Sequence, residues 1–123
     1  MHRKLTVLAI LAAALSVVGL TSQHGVRAQT TPGKTVEINA KRFSFEPATV
    51  TLKQGMPVTL ELHSLDTAHG LRVNELGINL KAAKGASAQQ TISPDKAGDF
   101  VGHCSTFCGS GHGAMSVTFH VVP

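Results

Sequence analysis

Four stretches of this chain place apolar side chains at every second position, the period of a β-strand with one buried face. TVEINAKRF alternates Val36, Ile38 and Ala40 with polar neighbours, and ATVTLK sets Val50 and Leu52 against Thr49, Thr51 and Lys53. VTLELH turns Val58, Leu60 and Leu62 to one side, and SVTFHVV does the same with Val117, Phe119 and Val121. DFVGHC and the weaker SAQQTIS add two more strands, with QGMP and SPDKAG as the breaks between runs. Neither an amphipathic helix nor an internal repeat competes with this pattern. Short strands joined by Gly/Pro turns predict an all-β domain over residues 36–123, an antiparallel Greek-key sandwich or barrel. With no Trp and no Tyr, its core must come from Val, Leu, Ile, Ala and five Phe.

The first 28 residues read differently. Arg3 and Lys4 precede an uncharged run from Leu5 to Leu20, and Val26 and Ala28 stand where a signal peptidase prefers small residues. Residues 1–28 are therefore expected to be an export signal cut after Ala28, or an anchor if uncut. Residues 29–35 form a flexible lead-in, and the protein is expected in the periplasm or on the outer face of the membrane. Arg3, Lys4 and Arg27 leave with the leader, so eight basic and seven acidic residues remain, a net charge of +1. The basic pI of 9.4 thus belongs largely to targeting. Nucleic acid is excluded as a partner, and a membrane is involved only through a retained leader.

The chemistry is concentrated in CSTFCGSGHGAM, residues 104–115, which holds both cysteines of the chain, one of seven histidines and one of three methionines. Cys104, Cys108, His112 and Met115 have helical spacing, but Gly109, Gly111 and Gly113 interrupt it. Each glycine costs a helix interior about 1 kcal/mol relative to alanine, so the segment is a loop between two strands. Thiolate, imidazole and thioether together form a soft ligand set suited to copper, and a thioether has no place around zinc, calcium or magnesium. One Cys, two His and a weak Met make a mononuclear blue site. Here there is one thiolate more, and two thiolates can bridge two metals. His69, just past VTLELH in a turn, supplies a second imidazole. His63 shares the parity of Thr59 and Glu61 and belongs to the polar face.

These residues resemble the dinuclear-copper (CuA) cupredoxin domain of cytochrome c oxidase subunit II, found also in nitrous oxide reductase. The family's loop is Cys-x3-Cys-x3-His-x2-Met, matched by Cys104, Cys108, His112 and Met115. Its Asp-x-x-His with a downstream Leu-Gly-Ile is matched by Asp66, His69 and residues 76–78, and FEPATVTLKQGMPVTL is similar to its opening strands. The resemblance implies a cupredoxin-like fold and two copper ions bridged by Cys104 and Cys108. One ion would take a histidine and Met115, the other a histidine and the Thr106 carbonyl. The implied function is one-electron transfer with redox partners such as a c-type cytochrome or an oxidase, and the chain is not expected to be an enzyme by itself. Thr106 stands where oxidase members carry Glu, and the family's two preceding membrane helices and Trp-containing entry patch have no counterpart. A stand-alone exported relative is expected, with a component of an oxidase or nitrous-oxide-reducing complex as a third reading.

Competing readings attach to the same residues. In an exported chain two cysteines read by default as a disulfide, although a link between residues four apart restrains the unfolded chain little. Zinc on Cys104, Cys108, His112 and His69 would leave Met115 surplus. Copper delivery or storage, with Cu(I) on the thiolates, is the alternative function. Met115 could also fill a core gap. His103 and His120 read as solvated surface residues, and Met56 has no case as a ligand.

Overall fold

The computed structural model describes residues 33–123, so the leader and most of the lead-in lie outside the described residues. Nine strands follow one another: β1 (Lys34–Lys41), β2 (Ser44–Glu46), β3 (Thr49–Lys53), β4 (Val58–Ser64), β5 (His69–Val73), β6 (Ile78–Ala82), β7 (Ser87–Ile92), β8 (Gly98–His103) and β9 (Ser116–Val122). Single 3-10 turns occupy Asn74–Leu76 and His112–Ala114. β1 begins inside the stretch read as lead-in. No helix of the described residues is long and apolar enough to cross a membrane.

The period-two runs decide which faces meet. Ile38 and Ala40 on β1, Val50 and Leu52 on β3, Val58, Leu60 and Leu62 on β4, and Val117, Phe119 and Val121 on β9 are all buried. They close one core between a four-stranded sheet, ordered β2-β1-β4-β7, and a five-stranded sheet, ordered β3-β9-β8-β5-β6. The fold is the expected all-β sandwich, with one correction. Both sheets are mixed, because β1 runs parallel to β4 and β3 parallel to β9. Alternation reports which face is buried but carries no information on strand direction. Each parallel pair here is joined by a long crossover through other strands, which a hairpin could not supply.

Three strands escaped the sequence reading, the three-residue β2 and the pair β5 and β6. β5 reads HGLRV, and its first three residues are all buried, which erases the period of two. β6 does alternate, with Ile78, Leu80 and Ala82 inward, but its run is short. Their pairing, from His69 opposite Ala82 to Val73 opposite Ile78, forms one edge of the five-stranded sheet.

Phe119 is fully buried at the centre of β9, between β3 and β8. Truncating it should leave a cavity that close-packed neighbours fill only in part. Phe119→Ala is expected to lose about 3–5 kcal/mol of stability, measured by urea denaturation. That is a large share of the roughly 5–15 kcal/mol a domain of this kind possesses.

Candidate metal centre

The β8–β9 hairpin carries the sulfur loop. Its ladder ends with His103 opposite Ser116, and one further bond runs from the Cys104 amide to the Met115 carbonyl at 3.2 Å. The loop therefore leaves and returns at one point, with Cys104 and Met115 as its two feet. The neighbouring β5 brings His69 to the same end of the sheet. His69 is not in a turn, as the sequence suggested, but is the first residue of the strand, fully buried. The physical reason is pairing: the sheet continues through His69 because Ala82 lies across from it.

Gly70 is what lets the loop lie against β5. The Ser105 amide bonds to the Gly70 carbonyl at 3.3 Å, and a Cβ on residue 70 would fall 2.2 Å from Ser105 Oγ and 2.8 Å from Thr106 Oγ1. Ser105 Oγ itself is buried, with no hydrogen-bond partner among the described residues. At the far side of the loop the Phe43 ring covers Gly111, where a Cβ would meet the ring at 2.5 Å.

The six residues singled out in the sequence come together. Cys104 and Cys108 are both buried free thiols, their sulfurs 3.8 Å apart and so not joined as a disulfide. His69 Nδ1 lies 3.9 Å from Cys104 Sγ, and the Thr106 carbonyl accepts from the same sulfur at 3.1 Å. On the other side, His112 Nδ1 lies 3.7 Å and Met115 Sδ 3.8 Å from Cys108 Sγ. The donor atoms of His69, Cys104 and Cys108 are all within 4.8 Å of one another. The two thiols thus sit in the middle, with one imidazole and a carbonyl beside the first and one imidazole and a thioether beside the second. Sulfurs at this separation can share a metal at bonds of about 2.3 Å. The His/Cys/Cys group fits a copper site.

Charge around the site comes from two residues. Asp66 Oδ1 bonds to His69 Nε2 at 2.7 Å, which leaves Nδ1 facing the sulfurs. Such a carboxylate–imidazole contact fixes ring orientation and makes the other nitrogen a better donor. Asp66 also accepts the Arg42 backbone N–H at 2.8 Å. That bond first, and the His69 bond second, hold its carboxyl down to about 2. Arg42 Nε donates in turn to the Cys108 carbonyl at 2.7 Å, so one residue ties the β4–β5 connection, at Asp66, to the sulfur loop. Burial, with the Cys104 thiol as neighbour, pushes the Cys108 thiol up to about 11. Without a metal it stays protonated, and metal binding must displace its proton.

Arg42 was missed in the sequence. It sits in no motif, and only the end of β1 brings it here. The remaining predictions for single residues fall as follows. His103 and His120 are exposed, and Met56 is 55% exposed. Met115 is fully buried within the core cluster, where it both fills space and faces Cys108. Phe107, between the thiols in sequence, is 78% exposed and lies against the His112 ring.

A model of the cupredoxin-like domain family matches residues 7–117. The chain belongs to that family. Among solved structures, this cupredoxin is similar to the periplasmic domain of subunit II of cytochrome oxidase (CoxB) of Bradyrhizobium japonicum. The two are 17% identical over 72% of this chain and 83% of that one, with a TM-score of 0.66. A chain of a heme-copper terminal oxidase dimer is 25% identical over 76% of this cupredoxin and 68% of its own length, also with a TM-score of 0.66. The metal-binding domain of the Streptococcus pneumoniae D39 Cu(I)-exporting P-type ATPase CopA, solved with Cu(I), is 17% identical over 72% of this chain and 85% of its own, with a TM-score of 0.61. At 17% identity the first and third of these likenesses speak for the fold alone.

Two outcomes follow, one for the metal-free protein and one for metal binding as well. An ionised Asp66 favours the folded state, a contribution complete above its ordinary value of 3.8 and lost as pH falls through about 2. Asp66→Asn should therefore be less stable than the parent at pH 7, with the gap closing toward pH 2 in urea titrations. Gly70→Ala should force the 105–106 segment away from β5, cost about 1–3 kcal/mol and weaken copper binding, read by denaturation and by competition with a chelator.

Proposed function

We propose that this cupredoxin is an exported carrier of single electrons whose loop holds a dinuclear CuA-type copper centre. The observation that carries the reading is the layout of donors: two central thiols 3.8 Å apart, with a separate imidazole beside each. A mononuclear site would gather its ligands about one point, whereas here the neutral donors divide between the two sulfurs. Cys104 and Cys108 would bridge, His69 and His112 would each serve one ion, and the Thr106 carbonyl and Met115 would be weak outer donors. Copper, when bound, supplies one-electron chemistry between Cu(I) and Cu(II).

What the chain itself contributes is rigidity and exclusion of water. Cys104, Cys108, His69 and Met115 are buried, which keeps solvent from these four donors, while Thr106 and His112 are half-buried. Asp66 orients His69, and Arg42 pins the carbonyl of Cys108. A donor set held in this way changes little between two oxidation states, which is what a carrier requires. Every donor is protein, which leaves no open position for a substrate. The exposed Phe107, against His112, offers an apolar contact for a redox partner such as a c-type cytochrome or an oxidase. Export is supported by the leader-like N-terminus and by similarity to a domain described as periplasmic.

The sulfur-rich set also suits Cu(I), and copper storage or delivery is the second reading. The deciding experiment refolds the chain with copper under reducing conditions, oxidises it, and measures copper content with the EPR spectrum. Two coppers per chain, with hyperfine splitting shared over two nuclei and reversible redox cycling, are expected. One copper with single-nucleus splitting would overturn the dinuclear assignment. Ready loss of Cu(I) to a chelator on cycling would favour delivery. In Cys108→Ser the shared splitting should vanish.

A further inference from the structure

A second group of metal-ligating side chains lies on the outer face of the four-stranded sheet, away from the sulfur loop. Glu37 on β1 is directly opposite Glu61 on the neighbouring β4, and His63 is two residues further along β4 on the same face. The donor atoms of Glu37, Glu61 and His63 are all within 4.8 Å of one another. Two carboxylates side by side on adjacent strands repel. Yet no lysine or arginine among the described residues forms an ion pair with either of them.

The surroundings hold Glu61 and His63 in place. Gln89, across from Glu61 on β7, donates its amide to Glu61 Oε2 at 2.8 Å, which leaves Oε1 turned toward His63 Nε2 at 3.2 Å. Ser87, across from His63, contacts Nδ1 at 2.7 Å. The ring has two satisfied states. With Ser87 Oγ–H donating to Nδ1, Nε2–H donates to Glu61 Oε1. With Ser87 accepting the Nδ1 proton, Nε2 points its lone pair at that oxygen, and a cation between the two acceptors satisfies both. Ligands about 2.0–2.2 Å from one ion are themselves roughly 3–3.4 Å apart, so the observed separation fits a shared metal. The side chains of Glu61 and His63 are only 19% and 30% exposed, which lessens the competition from water, while Glu37 is exposed and closes the group from the solvent side.

We propose that Glu37, Glu61 and His63 form a second metal site, for a borderline divalent ion of the Zn2+ or Cu2+ type. One imidazole and two carboxylates match that class, and the absence of sulfur distinguishes it from the Cu(I)-favouring loop. Ser87 and Gln89 act as positioning residues, fixing the imidazole nitrogen and the carboxylate oxygen that face the ion. The site does not depend on the function of the sulfur loop, since it shares no residue with it.

The test is a Zn2+ titration of the full chain carrying Cys104→Ser and Cys108→Ser, followed by calorimetry, with and without His63→Gln or Glu61→Gln. One equivalent of Zn2+ should bind to the double-serine protein and weaken more than tenfold in either further variant. Ser87→Ala should weaken it by about tenfold. If the double-serine protein does not fold, the wild-type chain is titrated with Zn2+ while the His63 ring nitrogens are followed by NMR. A zinc-dependent shift at His63 Nε2, lost in Glu61→Gln, is the expected result. Binding indifferent to both substitutions, or an unmoved His63 ring, would overturn the proposal and leave an ordinary His63–Glu61 hydrogen bond.

Discussion

The antiparallel ladder between β8 and β9 is the contact on which the metal centre depends. It runs from Gly98 opposite Val121 to His103 opposite Ser116, and the Cys104–Met115 backbone bond extends it by one step. That closure makes a twelve-residue, glycine-interrupted loop begin and end on a rigid base. A loop of this composition has little structure of its own, since glycine carries the largest backbone entropy to be lost. Anchored at both ends, it has only to fold back on itself for Cys108 to approach both Cys104 and Met115. The ladder is in turn held by the apolar face of β9, where Val117, Phe119 and Val121 are buried. Core and site are thus one construction.

The second imidazole reaches the site by a different route. His69 comes from β5, which touches β8 in the ladder only at Arg72 and His103, and Gly70 provides the space for the loop to settle there. Arg42 completes the link from the other sheet. It follows β1 directly, its amide holds Asp66, and its guanidinium holds the Cys108 carbonyl. Three separate parts of the chain are therefore locked by hydrogen bonds before any metal binds. This preorganisation favours a site whose ligands need not move when charge changes.

Much of this was legible in the residues. Period-two alternation identified the buried faces of β1, β3, β4 and β9, because each has one face in the core and one toward solvent. β5 was illegible for the opposite reason: His69, Gly70 and Leu71 are all buried, so the alternation disappears. The sulfur loop was conspicuous because both cysteines of the chain fall within twelve residues together with a histidine and a methionine. Arg42 and Gly70 were silent, since an arginine or a glycine is chemically unremarkable until its neighbours are known. His63 was correctly assigned to the polar face, but its meeting with Glu37 could not be anticipated. That contact exists only because β1 and β4 are parallel and in one particular register.

By itself the sequence determined the fold class, the buried faces of β1, β3, β4 and β9 and the chemical character of the loop. These depend on local pattern: residue type, period and spacing along a continuous stretch. Tertiary structure decided the strand directions, the pairing that seats His69 beside Cys104, and the bonds by which Arg42 holds Asp66 and the Cys108 carbonyl. It also decided the division of donors between the two thiols and the encounter of Glu37 with Glu61 and His63. These depend on register between strands distant in sequence, which is set by the packing of a whole core and leaves no mark in any one stretch.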